Sequence, residues 1–188
     1  TSRRQRQMCI RDRTIISIVA GYSHEKYETL IPGTHHLTIM PNTPAKVFEG
    51  VTLFERENTL TQEEFDFAYQ MFESIGEVYV IDNKQMIAGG ALSGCGPAFV
   101  YMFIEALADS AVKYGIKRDD AYKLVAQTVL GSAKMVLETN EHPGVLKDKV
   151  CSPGGTTIAG VAALEEHNFR NAVIKATDAC YDKCHNIK

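Results

Sequence analysis

Apolar positions along this chain follow two periods in succession. From residue 14 to about 82, short β-branched runs alternate with helical spacing. Thr14-Ile15-Ile16-Ser17-Ile18-Val19 reads as a buried strand that stops at Ala20-Gly21. Leu37-Thr38-Ile39-Met40 predicts a second strand, ended by Pro41, and Val51-Thr52-Leu53-Phe54 a third. Thr61 followed by Glu64 is the pattern of a capping box. The helix it opens repeats apolar residues at Phe65, Ala68, Phe72 and Ile75, one helical face. Gly76 closes it, and Val78-Tyr79-Val80-Ile81 predicts a fourth strand. From about residue 84 the strand pattern stops. Helices are predicted over Pro97–Tyr114, Asp119–Thr139, Pro143–Val150 and Thr156–His167. Asn168 is placed as the cap of a last helix with Phe169, Ala172, Val173, Ala176 and Cys180 turned inward.

Alternation followed by helices alone predicts an α/β region, 14–83, and an all-α region, 84–188. The first is a partial Rossmann-type sheet, because no glycine-rich turn with its own strand precedes it. The second carries more apolar helix surface than about 100 residues can bury alone, so it is expected to pair with another copy.

Charge divides the chain differently. Five of its eight arginines lie in the first 13 residues, giving that segment a net +4 and the remainder −7. An acidic body disfavours nucleic acid or an anionic membrane as partner. The first 13 residues have almost no apolar content. They read as a disordered basic arm, part of a transit peptide, or non-native sequence; the run Gln7–Arg13 resembles translated adapter sequence, which is the reading preferred here. The longest apolar stretch, around Phe99–Leu107, is broken by Glu105, so no membrane span is expected. Five cysteines without framework spacing point to a reducing, cytoplasmic setting.

Three segments can carry chemistry. Ser152-Pro153-Gly154-Gly155-Thr156-Thr157 sets two glycines and two threonines just ahead of a helix. Free backbone N–H groups and the helix dipole there suit a carboxylate or phosphate. A capped helix start preceded by an ordinary turn explains the same letters. Leu92-Ser93-Gly94-Cys95-Gly96-Pro97-Ala98-Phe99 either lets backbone approach a ligand or breaks a helix for close packing. Met40-Pro41-Asn42-Thr43-Pro44 follows a strand, where α/β sheets bind ligands, and Ala20-Gly21 holds the same position after an earlier strand. Asn42 can bond a ligand there or cap a turn. Cys180 and Cys184 with His185 read as incidental thiols at a helix end, and His35-His36 as surface residues, so no metal site is expected.

Taken together, these segments resemble the pyrroline-5-carboxylate reductases over roughly residues 14–184. Three matches carry the resemblance: Met40–Pro44, Leu92–Phe99, and the long run from Asp148 to Gly160. Glu105–Asp109 and Ala126–Gly131 also look like family sequence. The resemblance implies a Rossmann domain for NADPH or NADH and a helical domain forming an intertwined dimer. It implies that the carboxylate of 1-pyrroline-5-carboxylate sits on Ser152, Gly154, Gly155, Thr156 and Thr157, with Thr157 near the imine nitrogen as the catalytic residue. Ala20, Gly21 and Asn42 match the nicotinamide side. Hydride transfer to a C=N carbon needs such a clamp and a polar group at the nitrogen. Three departures stand out. The glycine-rich phosphate loop is not in this sequence, Thr38 stands where the family commonly has arginine, and Phe99 replaces a frequent tyrosine. The expectation is therefore an N-terminally truncated reductase, inactive as it stands. A reductase of another imine or of a 3-hydroxy acid, and a non-catalytic helical dimerisation module, are the competing readings.

Overall fold

The computed structural model describes residues 13–186. The expectation about residues 1–13 falls, Arg13 apart, outside the described residues. Two compact units form, one from the described residues up to Pro97 together with those from Thr177, the other from Ala98–Ala176.

In the first unit, β1 (Thr14–Ser17), β2 (His35–Met40), β3 (Gly50–Glu55) and β4 (Gly76–Ile81) make one sheet in that order. β1 pairs with β2 and β3 with β4 in parallel, whereas β2 and β3 run antiparallel. The reason is the connection: β2 reaches β3 through one short 3-10 turn, Thr43–Val47, and a parallel return needs a longer crossover. β1 is shorter than expected and is not a buried strand. Among the described residues it pairs on one side only, and Ile18 and Val19 are exposed beyond it.

Helix α1 (His24–Leu30) links β1 to β2 and escaped the sequence reading. Its inner face, the half-buried His24 and Tyr27, is polar and aromatic, so it lacks the aliphatic period that reveals a helix. α2 (Gln62–Glu73) carries the capping box as expected: the Thr61 side chain accepts from the Glu64 N–H while the Glu64 carboxylate accepts from the Thr61 N–H. Its Phe65, Tyr69 and Phe72 meet Phe54 edge-on, with ring centroids 5.7–6.2 Å apart. Leu37, Ile39, Phe54, Ala68 and Val78 are the buried core beneath it. The opposite face of the central strands is polar at one end, with His36, Thr38 and Glu55, and apolar at the other, with Met40 and Leu53. α3 (Met86–Ser93) covers the apolar end, and its glycines allow the close approach. A Cβ on Gly90 would lie 2.1 Å from Met40 Sδ, and one on Gly89 2.7 Å from Leu53 Cδ1.

α4 (Gly96–Lys113), α5 (Arg118–Thr139), α6 (Pro143–Lys149), α7 (Thr156–Glu166) and α8 (Phe169–His185) follow, each within a few residues of its predicted bounds. In the second unit only Ala108, Ala121 and Val125 form a buried apolar cluster, where α4 meets α5. Asn168 stands at the start of α8 as expected, its carbonyl accepting from the Ala172 N–H at 2.9 Å, but in the left-handed conformation, φ 57°, with its own N–H donating to Glu165 O at the end of α7. One expectation fails here. Phe169 and Val173 are exposed rather than inward, and α8 has no buried residue within the single chain. The apolar run also proves longer than expected. The stretch Asn83–Lys113, which takes in α3 and α4 and the turn at Gly94–Cys95 between them, is long and apolar enough to cross a membrane by length and composition. Glu105 is one of four charged residues in it, with Lys84, Asp109 and Lys113.

Candidate functional site

The segment from Ser152 to Thr157 forms a tight turn feeding α7. Pro153 and Gly154 are its central residues, Gly154 has φ +68°, and the Gly155 N–H donates to Ser152 O at 3.0 Å. A positive φ at the third position of such a turn is why glycine stands there. Gly155 is then the extended N-cap of α7, with φ −79° and ψ 172°. It has no side chain to offer, so no cap bond closes the helix start. The first-turn N–H groups of Thr156, Thr157 and Ile158 consequently have no intrahelical acceptor. Ser152 Oγ lies over this end, since a Cβ on Gly155 would approach it to 2.3 Å. Ser152, Gly154, Thr156 and Thr157 are exposed in the single chain. Three N–H donors, three hydroxyls and a helix N-terminus form an exposed cradle with the chemistry of a carboxylate site.

The other predicted residues belong to the sheet unit. Ala20 and Gly21 make an exposed turn at the carboxyl end of β1, with Gly21 at φ 77°. Asn42 follows β2. Its Nδ2 donates to Ser93 O at 3.0 Å and its Oδ1 accepts from the Val51 N–H at 2.9 Å. The amide thus ties the ends of β2 and α3 to β3, and keeps one N–H and one lone pair for anything else. The Leu92–Phe99 segment is the joint between α3 and α4, and Ser93 within it supplies the carbonyl that holds Asn42.

A polar cluster under α1 went unread in the sequence. His36 is fully buried, against the expectation of a surface residue, whereas His35 is partly exposed and paired with Glu64 at 2.7 Å. His36 Nε2 lies 3.1 Å from His24 Nδ1 and 3.6 Å from Glu28 Oε1. Glu55 is also buried, and accepts from the His24 N–H at 2.9 Å. Burial pushes its carboxyl above the ordinary range, while hydrogen bonds from Thr38 and His24 pull the other way. The signal available in the sequence was a His-x-x-x-Glu spacing ahead of a strand that begins His-His.

The model of the pyrroline-5-carboxylate reductase dimerisation family matches residues 83–187. A pyrroline-5-carboxylate reductase of Escherichia coli strain K12 is 45% identical over 178 residues, 94% of this chain and 66% of that protein. One from Treponema pallidum is 42% identical over 172 residues, 89% of this chain and 65% of its own length. The chain thus spans just under two thirds of these curated relatives. Among solved structures, the Plasmodium falciparum pyrroline carboxylate reductase with NADP bound superposes with a TM-score of 0.88 at 35% identity, covering 95% of this chain and 72% of that one. The Coxiella burnetii pyrroline-5-carboxylate reductase gives 0.85 at 30% identity, covering 97% and 72%. With more than half of its length matched by the family model and both of its units represented in the solved relatives, the chain belongs to the pyrroline-5-carboxylate reductase family.

Proposed function

We propose that this chain serves in the reduction of 1-pyrroline-5-carboxylate to L-proline with NADPH or NADH, the last step of proline biosynthesis. The observation that carries the reading is the uncapped start of α7. Its glycine N-cap leaves backbone N–H groups open to a carboxylate, and a carboxylate is the fixed negative group of this substrate.

In this reading the N–H groups of Thr156, Thr157 and Ile158, with the Ser152 hydroxyl, take the substrate carboxylate. Gly154 and Gly155 keep side chains out of its way. Thr157 hydrogen-bonds the ring nitrogen, holding the imine while its carbon is reduced. A nicotinamide supplies the hydride when bound. Ala20 and Gly21 fit the approach of a flat ring, since they are exposed and carry almost no side chain. Asn42 has one donor and one acceptor left for the same face, while its other contacts fix the turn it stands on. The partner is a second copy of the chain. Met102 and Tyr101 on α4 and Leu124 and Leu137 on α5 are exposed large apolar residues with too small a core of their own to gather around. A cytoplasmic setting accords with Cys95, Cys151, Cys180 and Cys184, all free thiols.

The test is reductase activity, read as NADPH consumption on adding 1-pyrroline-5-carboxylate. It is run on this chain joined to the portion of the Escherichia coli relative that it does not cover. Turnover within about tenfold of that relative is expected. A folded, NADPH-binding fusion that leaves the imine untouched, while the parent enzyme reduces it, overturns the reading.

A further inference from the structure

The cluster beneath α1 plays no part in the chemistry above, yet its geometry is that of a ligand set. His24 opens α1 and Glu28 stands one turn later, so both occupy the same face. That face lies on β2, where His36 is buried without exposure. The three ligand atoms, His24 Nδ1, His36 Nε2 and a Glu28 carboxylate oxygen, lie within 4.8 Å of one another. Two of the separations are 3.1 and 3.6 Å. Tetrahedral zinc with bonds of about 2.0–2.1 Å places its ligands roughly 3.3–3.5 Å apart. Two edges of such a site are therefore already formed, and the third needs only rotation of Glu28, which is exposed.

The surroundings of His36 point the same way. Its Nδ1 lies 3.2 Å from Thr34 O and 3.1 Å from Thr59 Oγ1. A carbonyl oxygen only accepts, so Nδ1 carries a hydrogen, and in the neutral ring Nε2 keeps its lone pair toward His24 and Glu28. Metal-bound histidines are oriented in this way by the acceptor behind them. Thr59 is held in turn: its Oγ1 donates to Thr34 O at 2.9 Å and accepts from the His36 N–H at 2.8 Å.

We propose that His24, Glu28 and His36 form a binding site for one divalent transition metal of the zinc class. Two imidazoles and one carboxylate suit zinc, cobalt or nickel, and disfavour magnesium or calcium, which take oxygen. Water completes the coordination on the side of Glu28, where the cluster opens to solvent. The bound ion pins α1 to β2, and so stiffens the Ala20–Gly21 turn three residues before His24.

Calorimetric titration of the full chain with zinc chloride tests this, with cobalt absorption in the visible reporting four-coordination. One ion per chain is expected, with a melting temperature that rises on zinc addition. His36 is fully buried and its loss threatens the fold, so the test rests on Glu28→Gln and His24→Ala, each checked for native circular dichroism. Each should weaken zinc binding by at least about tenfold, in line with the cost of disturbing a metal's ligand shell. No zinc binding by the parent chain overturns the proposal. So does binding that persists in the double variant, or that disappears instead in Cys180→Ser/Cys184→Ser.

Discussion

At the scale of single residues, the proposed function gives Thr157 and Gly155 two separable roles within one turn. If the Thr157 hydroxyl acts mainly as the hydride arrives, Thr157→Ala lowers kcat and kcat/KM together, by roughly ten- to a hundredfold, and leaves KM nearly unchanged. Gly155→Val behaves differently. Its Cβ would meet Ser152 Oγ at 2.3 Å and must push that serine off the cradle, so KM rises by about tenfold or more. Steady-state kinetics of the two variants in the completed enzyme decide this. Wild-type kcat and kcat/KM for Thr157→Ala would reduce the loop to a carboxylate clamp. Glu64 gives a prediction in pH. Partial burial raises its pKa, but hydrogen bonds from Thr14, the Thr61 N–H and His35 outweigh that and hold it at about 2. A folded value below the ordinary one means that ionised Glu64 stabilises the fold above about pH 4.5. That contribution is lost as the pH falls through about 2. Glu64→Ala should cost about 1 kcal/mol at pH 7, the usual worth of a helix cap. The deficit should shrink below pH 4.5 and nearly vanish near pH 2 in denaturant melts. A constant deficit across that range would assign the effect to packing.

At the scale of elements, the joint between α3 and the sheet carries the sharpest constraint. α3 lies on Met40 and Leu53 because residues 89 and 90 have no side chains, and Ser93 at its end anchors Asn42. Gly90→Val puts a branched side chain where Met40 Sδ stands, 2.1 Å from the new Cβ. The expected destabilisation is about 1–3 kcal/mol by overpacking, read as a lower denaturation midpoint. An unchanged midpoint would show that Met40 moves aside freely. Since the same joint fixes Asn42, the variant should also weaken NADPH binding in the completed enzyme. α1 depends on a different kind of contact. Its inner face is His24 and Tyr27 packed on His36, with rings 5.1 and 5.6 Å from the His36 ring, and the Tyr27 hydroxyl bonded to Ser17.

At the scale of the whole molecule, the helical unit is unfinished as a single copy. Three small or medium residues are its buried cluster, while Met102, Leu124 and Leu137 are each more than half exposed. Sedimentation equilibrium of the chain at about 10 μM should report a dimer, and Met102→Asp should shift it toward monomer, because a buried charge without a partner is costly. A well-folded monomer at that concentration would count against pairing of two copies.

The sequence by itself determined the order of the four strands and of every helix but α1 and α3, the capping box at Thr61 and Glu64, and the turn before α7. Each is written in local chemistry: β-branched runs, a cap residue with its partner three positions on, and proline then glycine at the centre of a turn. The family, too, was legible in consecutive residues, from Asp148 to Gly160 above all. Tertiary structure decided what depends on partners distant in sequence. It set β2 against β3 antiparallel, gave Asn42 its bonds to Val51 and Ser93, and left β1 with an exposed end. It turned His36 inward to meet His24 twelve residues earlier. A histidine's burial depends on what covers its strand, and the cover is α1, a helix without the apolar period that marks one in a sequence. The same holds for α8, whose amphipathic spacing was plain in the letters, while none of its residues is buried in the single chain.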